Sequence, residues 1–384
     1  PYTPLFRSHA ALNRARVIEH AELAAWVRLL ETPGVGRGTA RKLLAAFGSP
    51  EAIFAASGSA RREVAGAEVA SALASSSETL DTLVATTIAW LEDDAPEARD
   101  IVTLGDPRYP NAVLETADPP LLLYAQGRCE LLGAESLAVV GSRNPTPQGS
   151  QNARAFSAHL SRAGLTIVSG MALGIDGAAH AGGLEGPAST IAVVGTGLDR
   201  VYPRRHLELA HRIAAEGLIV SEYSLGTPPL AEHFPTRNRI IAGLARGTLV
   251  VEAALQSGSL ITARLALEAG REVFAIPGSI HAPQSRGCHA LLRQGAKLVE
   301  RAEDILEELR LPVRATTGVE APEAGQAKED PLLAALGFDP VTLDALVART
   351  GWSAAELNVR LLDLELDGRV TRLPGQLFQR LAHG

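Results

Sequence analysis

Five short loops rich in glycine and serine carry the residues best suited to chemistry: Gly141-Ser142-Arg143, Ser169-Gly170 through Gly174, Gly195-Thr196-Gly197, Ser257-Gly258-Ser259 and Pro277-Gly278-Ser279. Each follows a short apolar, β-branched run. Glycine lets a backbone turn tightly and approach a ligand, and the N–H groups it exposes suit an anion. One such loop is weak evidence, because many α/β folds need a glycine turn there for structural reasons alone. Several on one edge suit an extended polyanion better than a mononucleotide, which needs one or two.

A second cluster is Phe234-Pro235-Thr236-Arg237-Asn238-Arg239. Pro235 fits the first turn of a helix. Arg237 and Arg239 are expected to reach phosphates and Phe234 to stack on a base, the usual recipe for single strands. The alternative is that Phe234 is core and the arginines pair with Glu222 or Glu252. The candidate nucleic-acid set is therefore Gly141, Ser142, Arg143, Ser169, Gly170, Gly174, Gly195, Phe234, Arg237, Asn238, Arg239, Gln256, Ser257, Gly258 and Ser259.

The standard nucleotide signatures are missing. Gly141 to Gly149 is not followed by the Lys-Ser/Thr of a P-loop, and Gly195-Thr196-Gly197 lacks the third glycine of the dinucleotide fingerprint. Asp176 and His180, four apart, share a helix face at metal-ligand spacing, but no third ligand is evident. Asp176 is expected as a helix cap and His180 as a packed or hydrogen-bonded residue. Ser169 and Ser257 lie outside any Gly-x-Ser-x-Gly elbow. No catalytic residue, metal or cofactor is expected.

The elements that position these loops follow from the pattern. Apolar strand runs at 137–140, 165–168, 190–194, 218–220, 248–251 and 272–276 alternate with helical stretches such as 150–163, 207–216 and 260–269. That alternation predicts a doubly wound α/β domain with a parallel sheet, all strand C-termini on one edge. We divide the chain into a helical domain (1–95), the α/β domain (96–312), a linker rich in Gly, Pro, Thr, Ala and Glu (313–330) that is expected to be mobile, and a winged helix (331–384) of three helices and a hairpin turning at Pro374-Gly375. In the helical domain, Thr32 to Lys42 resembles a helix–hairpin–helix element, with Arg37, Arg41 and Lys42 as possible additional DNA contacts. The presumptive recognition helix of the winged helix, 353–366, carries Glu356, Asp363 and Glu365 but only Arg360, which argues for an accessory or protein-contact role rather than duplex reading.

The formal net charge is -7, so any affinity for nucleic acid must come from a local patch. No apolar run reaches the roughly 18 residues of a membrane span. The N-terminus lacks a signal-peptide pattern, and Cys129 and Cys288 lie far apart; a reduced, cytoplasmic protein without membrane contact is expected.

These motifs together resemble the DprA/Smf family of DNA-processing proteins. The matching blocks are Gly105-Asp106-Pro107-Arg108-Tyr109-Pro110, Val140 to Arg143, Ser169 to Asp176 with Ala179-His180, Gly195 to Asp199 with Tyr202-Pro203, Ser221-Glu222, Phe234 to Leu244, Val251 to Ala253 with Ser257 to Ala263, and Ile276-Pro277-Gly278, over about residues 100–300. The resemblance implies an extended Rossmann-like domain that binds single-stranded DNA as a homodimer. It further implies protection of incoming DNA during natural transformation and loading of the RecA recombinase onto strands covered by single-strand-binding protein, with no established catalysis. It places Arg143 at the family's DNA-contacting arginine, and Phe234, Arg237 to Arg239 and Ser257 to Ser259 at its other contact loops. The chain departs from some relatives by having Ser189 or Thr190 where they carry a lysine, and Ala231-Glu232-His233 where they have a basic residue. A competing reading is a nucleotide-monophosphate-processing enzyme of the lysine-decarboxylase-like phosphoribohydrolase type. Its Pro-Gly-Gly-x-Gly-Thr loop is not matched by the nearest counterpart, Ser257 to Thr262.

Overall fold

The computed structural model describes residues 18–75, 77–311, 330–338 and 340–381. The expected linker lies almost entirely outside the described residues.

Six helices come first: α1 (His20–Glu31), α2 (Arg37–Phe47), α3 (Pro50–Ala55), α4 (Gly58–Ala65), α5 (Ala67–Ala74) and α6 (Glu78–Glu92). Ser49, Ser57 and Ser77 cap α3, α4 and α6, each accepting a hydrogen bond from the helix's first turn. Their apolar stripes, with Leu23, Trp26, Leu43, Ile53 and Leu73, close one core. That core continues through Ile101, Leu122 and Tyr124, so the helices are packed against the sheet rather than tethered beside it.

The sheet begins with β1 (Arg99–Thr103), α7 (Asn111–Leu114) and β2 (Leu122–Gly127). It continues through β3 (Ser136–Val140), α8 (Pro147–Arg162), β4 (Thr166–Ser169), α9 (Ile175–Gly183), β5 (Thr190–Val193), α10 (Leu207–Glu216) and β6 (Leu218–Ser221). Then come α11 (His233–Leu244), β7 (Gly247–Val250), α12 (Ser259–Glu268), β8 (Glu272–Ala275), α13 (Arg286–Arg293), β9 (Lys297–Leu298) and α14 (Ala302–Glu308). The strand order is β1-β2-β6-β5-β4-β3-β7-β8-β9. From β3 to β9 every pairing on the path β6-β5-β4-β3-β7-β8-β9 is parallel, as expected. The sheet is nonetheless mixed: β2 runs antiparallel to both β1 and β6, and β1 and β2, like the short β9 at the opposite edge, are strands that the sequence pattern did not predict.

Alternation along each strand divides the core. Ala138 and Val140 face α11, α12 and α13, whereas Leu137 and Val139 face α8, α9 and α14. Chain order runs from β3 outward through β4, β5 and β6, then returns to the other side of β3 at β7. The strand order therefore reverses between β3 and β7, and such a switch point leaves a crevice at the strand C-termini.

The C-terminal unit comprises α15 (Pro331–Leu336), β10 (Val341–Thr342), α16 (Leu343–Thr350), α17 (Ala354–Leu366), β11 (Val370–Leu373) and β12 (Leu377–Arg380). A capping box between Ser353 and Glu356 starts α17. The hairpin is the expected wing, with the short β10 as a third strand against β12.

Candidate nucleic-acid interface

The crevice at the β3–β7 switch point is a cleft of about 710 Å³, lined by Gly141, Ser142, Arg143, Phe234, Asn238 and the segment from Gln256 to Ser259, among others. Its near wall is the loop after β3. A Cβ on Gly141 would fall 2.7 Å from Ile175 Cγ1 and 2.9 Å from the Glu252 carbonyl oxygen, so only glycine lets the chain turn there. Ser142 N donates to that same carbonyl at 2.7 Å, stitching the β3 and β7 loops together. Beneath them Gly174 has φ 82° and approaches the Ser142 carbonyl so closely that any side chain would collide. The loop is thus held from below, and Arg143 projects outward, exposed, with its guanidinium carbon 6.0 Å from the centre of the Phe234 ring. Among the described residues Arg143 meets no carboxylate.

Phe234 sits in the first turn of α11, half-buried, with Gly195 beneath it, 3.3 Å from the ring if given a Cβ. Tyr202 lies beside it, ring centres 5.5 Å apart and planes 33° apart. Next to them His233 stacks on Tyr223 at 3.9 Å. Across the cleft, α12 starts at Ser259, with Ser257 Oγ 2.7 Å from Ser259 Oγ and accepting from Ser259 N at 3.3 Å. Asn238 turns its Oδ1 to Arg237 Nε at 3.0 Å. The arrangement joins an exposed cation, an aromatic pair, hydroxyls and a helix N-terminus along one open trough.

Several expected contacts are placed elsewhere. Arg237 is 4% exposed: its guanidinium donates to the carbonyls of Gly170, at 2.5 Å, and Val193, ending β5 and the β4 loop rather than reaching outward. Burial pulls it down to about 10, with Asp176 opposing that fall, so it stays charged at neutral pH. Gly170 packs on that guanidinium, which leaves no room for a Cβ. Ser169 is fully buried and donates to the Val139 carbonyl at 2.7 Å. Arg237 thus lines the bottom of the trough, and Ser169, Gly170, Gly174 and Gly195 lie beneath it rather than on its surface. The N-terminus of α8 is likewise taken. Its cap, Thr146, donates through N (2.9 Å) and Oγ1 (2.6 Å) to the carboxylate of Glu252, whose own carboxyl burial raises while Thr146 lowers it.

Arg239 departs furthest. It pairs with Glu222 and, at 3.3 Å, with Asp118. Arg37 and Arg41, expected as DNA contacts, meet the same acids: Arg37 Nε lies 2.8 Å from Asp118, its Nη1 3.4 Å from Glu222, and Arg41 2.7 Å from Asp118. Burial works to raise the Asp118 carboxyl, but the three arginines hold it below the usual carboxylate range. The helix–hairpin–helix arginines thus tie α2 to the sheet domain; of that element's candidate cations, only Lys42 is exposed and outside the cluster.

Asp176 is the second residue of α9, behind the cap Gly174, and accepts from Gly170 N (3.1 Å) and Ala172 N (3.2 Å), closing the loop above it. His180 is fully buried. Its Nε2 accepts from Met171 N at 3.3 Å, which leaves Nδ1–H to donate to Thr190 Oγ1 at 2.7 Å. Burial drives it down to about 3, fixing a neutral ring. Among the described residues no three His, Cys, Asp or Glu side chains are grouped to hold a metal, and no helix is long and apolar enough to cross a membrane.

A Rossmann-type switch-point cleft fronted by a free arginine and an aromatic pair, on a chain that also carries a winged helix, defines a class of DNA-processing proteins. The family model described as DNA recombination-mediator protein A matches residues 100–310, and the DprA winged helix domain matches 316–376. The Smf protein of Escherichia coli is 42% identical over 302 residues, covering 76% of this chain and 79% of its own. The DNA processing protein DprA of Streptococcus pneumoniae is 49% identical over 203 residues, covering 53% and 72%. The X-ray structure of the S. pneumoniae protein superposes with a TM-score of 0.65 at 37% identity, over 76% of this chain and 98% of that one. A structure of DNA processing protein A from Helicobacter pylori, described for its single-stranded DNA binding mode, superposes at 0.51 and 31% identity over 55% and 95%. The chain belongs to the DprA/Smf family of DNA-processing proteins.

Two site residues escaped the sequence reading. Tyr202 stood only as part of a motif, and nothing in its neighbourhood signals that its ring pairs with one 32 positions away. Glu252, expected as a possible arginine partner, instead accepts from Thr146, the cap of α8.

Proposed function

We propose that this protein binds single-stranded DNA along the β3–β7 cleft, as a homodimer, and delivers it to the RecA recombinase in transformation and recombination. The observation that carries the reading is Arg143: an exposed guanidinium without a carboxylate partner among the described residues, set over Phe234 at the mouth of a trough of Ser and Gly backbone. Phosphates bind the cation and the amides, and a base stacks on the aromatic pair. Family membership and the single-stranded DNA binding mode named for the H. pylori relative support the same reading. The winged helix takes an accessory, protein-facing part. Its α17 exposes Val359, Leu362 and Leu366, and its charged residues are Glu356, Asp363 and Glu365 against the single Arg360, a helix poorly suited to phosphate.

A competition titration tests this. Unlabelled single strand is expected to displace a labelled oligothymidine from the native protein, with duplex weaker and mononucleotide weakest; displacement by mononucleotide at equal strength would return the site to the enzyme reading. Delivery predicts faster RecA assembly on strands covered by single-strand-binding protein when this protein is added, and an unchanged rate would remove that part.

A further inference from the structure

The trough does not end at Phe234. Tyr202 is 48% exposed and forms a wall shared by two hollows, the main cleft and a second one of about 310 Å³. The second lies against α10, over Ile219 of β6 and Val194 just past β5, with Met171 and Leu207 beside it and His211 among its lining. Its floor is apolar while Glu97, Gln126 and Asp199 line its sides, and Leu207 is half exposed, so among the described residues nothing covers this apolar floor.

Immediately after Tyr202 the chain makes a 3-10 turn, Arg204–His206. Arg204 and Arg205 are exposed, and among the described residues neither meets a carboxylate. The turn is anchored, because His206 Nδ1 donates to the Met171 carbonyl at 3.0 Å. The nearby acid Asp199 is engaged by Arg200 (3.0 Å) and by Gly226 N (2.8 Å), which blunts its repulsion of an anion. An aromatic ring open on its far side, a hollow with an apolar floor behind it and two exposed cations on an anchored turn, without carboxylate partners among the described residues, repeat the chemistry of the main cleft.

Resting on the proposed single-strand reading, we infer that the hollow behind Tyr202 is a second base-binding subsite. Arg204 and Arg205 hold the phosphates of the nucleotides that lead into it, and Tyr202 separates two bases of one strand. A strand long enough to leave the main cleft bends around this ring, whereas a short strand fills the cleft alone.

The test uses the full-length protein and oligothymidines of about 5 and about 15 nucleotides, near the ends of the range of single-strand site sizes. The double variant Arg204→Ala/Arg205→Ala is expected to bind the long strand about tenfold more weakly, with a salt slope lower by about 1.4, and the short strand as the native protein does. A 2-aminopurine placed along the long strand is expected to be quenched at one interior position in the native protein and to brighten there in Tyr202→Leu. Unchanged affinity of the double variant for both strands, relative to the native protein, or equal weakening of both, overturns the subsite. Arg143→Ala is run alongside: if it too leaves the short strand's affinity unchanged, the main-cleft reading fails, and if it weakens that strand while the double variant changes nothing, only the subsite fails.

Discussion

Three arginines at one seam and a single arginine at the cleft lie within the α/β domain and its helical neighbour, and their surroundings are opposite. At the seam between α2 and the sheet, Arg37, Arg41 and Arg239 share Asp118 and Glu222, and the charges cancel inside the protein. At the switch-point cleft, Arg143 has no acid near it among the described residues and stands in solvent over an aromatic ring. A guanidinium already held by carboxylates cannot take a phosphate without leaving them unpaired, so the cation left without one is where the proposed function seats the polyanion. The net charge of -7 is no obstacle, because binding depends on which cations remain unneutralised.

The comparison breaks most sharply at Arg239. Arg239→Ala strands Glu222, only 7% exposed, without its main partner, and is expected to cost about 3–5 kcal/mol of stability in a denaturant titration. Its effect on single-strand affinity is expected to be slight in whatever fraction stays folded. A large affinity loss with native stability would merge the seam with the binding site. Arg143→Ala is the mirror case: about 1–3 kcal/mol of affinity for oligothymidine lost in an anisotropy titration, with the melting temperature unchanged. The native protein's affinity is expected to fall steeply with salt, and the variant's slope to be lower by about 0.7; equal slopes would remove Arg143 from the phosphates.

The floor under the trough has its own signature. His180 is buried neutral, with a folded value of about 3 against 6.5 when unfolded, so below 6.5 the unfolded chain binds the extra proton. Its contribution is fully present above pH 6.5 and is lost as the pH falls towards 3, by up to ~1.4 kcal/mol per pH unit. Unfolding titrations from pH 7 to 4 are expected to show this slope, and His180→Gln to flatten it; an identical slope in the variant would mean that the histidine is protonated in the fold. The smallest effect is expected from removing residues 331–384, which leaves single-strand affinity within about threefold, a change of under ~1 kcal/mol. Near-complete loss would make the winged helix part of the interface.

Much of this was legible in the sequence. Six parallel strands were readable because strands buried on both faces are continuous apolar runs, and the winged helix because its helices are capped and its hairpin turns on Pro374-Gly375. The strands β1, β2 and the two-residue β9 were not, since Arg99–Thr103 opens on two charged residues, nothing local reveals that it pairs antiparallel with Leu122–Gly127, and Lys297–Leu298 is too short to show a pattern. The trough's surface was readable at Arg143, Phe234 and Ser257 to Ser259, where the motif itself faces the cleft. The fates of Arg237 and Arg239 were harder to read. Two residues apart on α11, one turns to backbone carbonyls of β5 and the β4 loop and the other to acids at positions 118 and 222. That division depends on tertiary neighbours, although pairing with Glu222 was among the alternatives that residue type allowed.

The most direct test is a crystal structure of the protein with oligothymidine. The account predicts phosphates against the amides of Ser142 and Ser257 to Ser259 and the guanidinium of Arg143, a base against Phe234, and the Asp118–Glu222 cluster intact. A strand bound along α2 with those ion pairs opened, and the β3–β7 cleft empty, would contradict it.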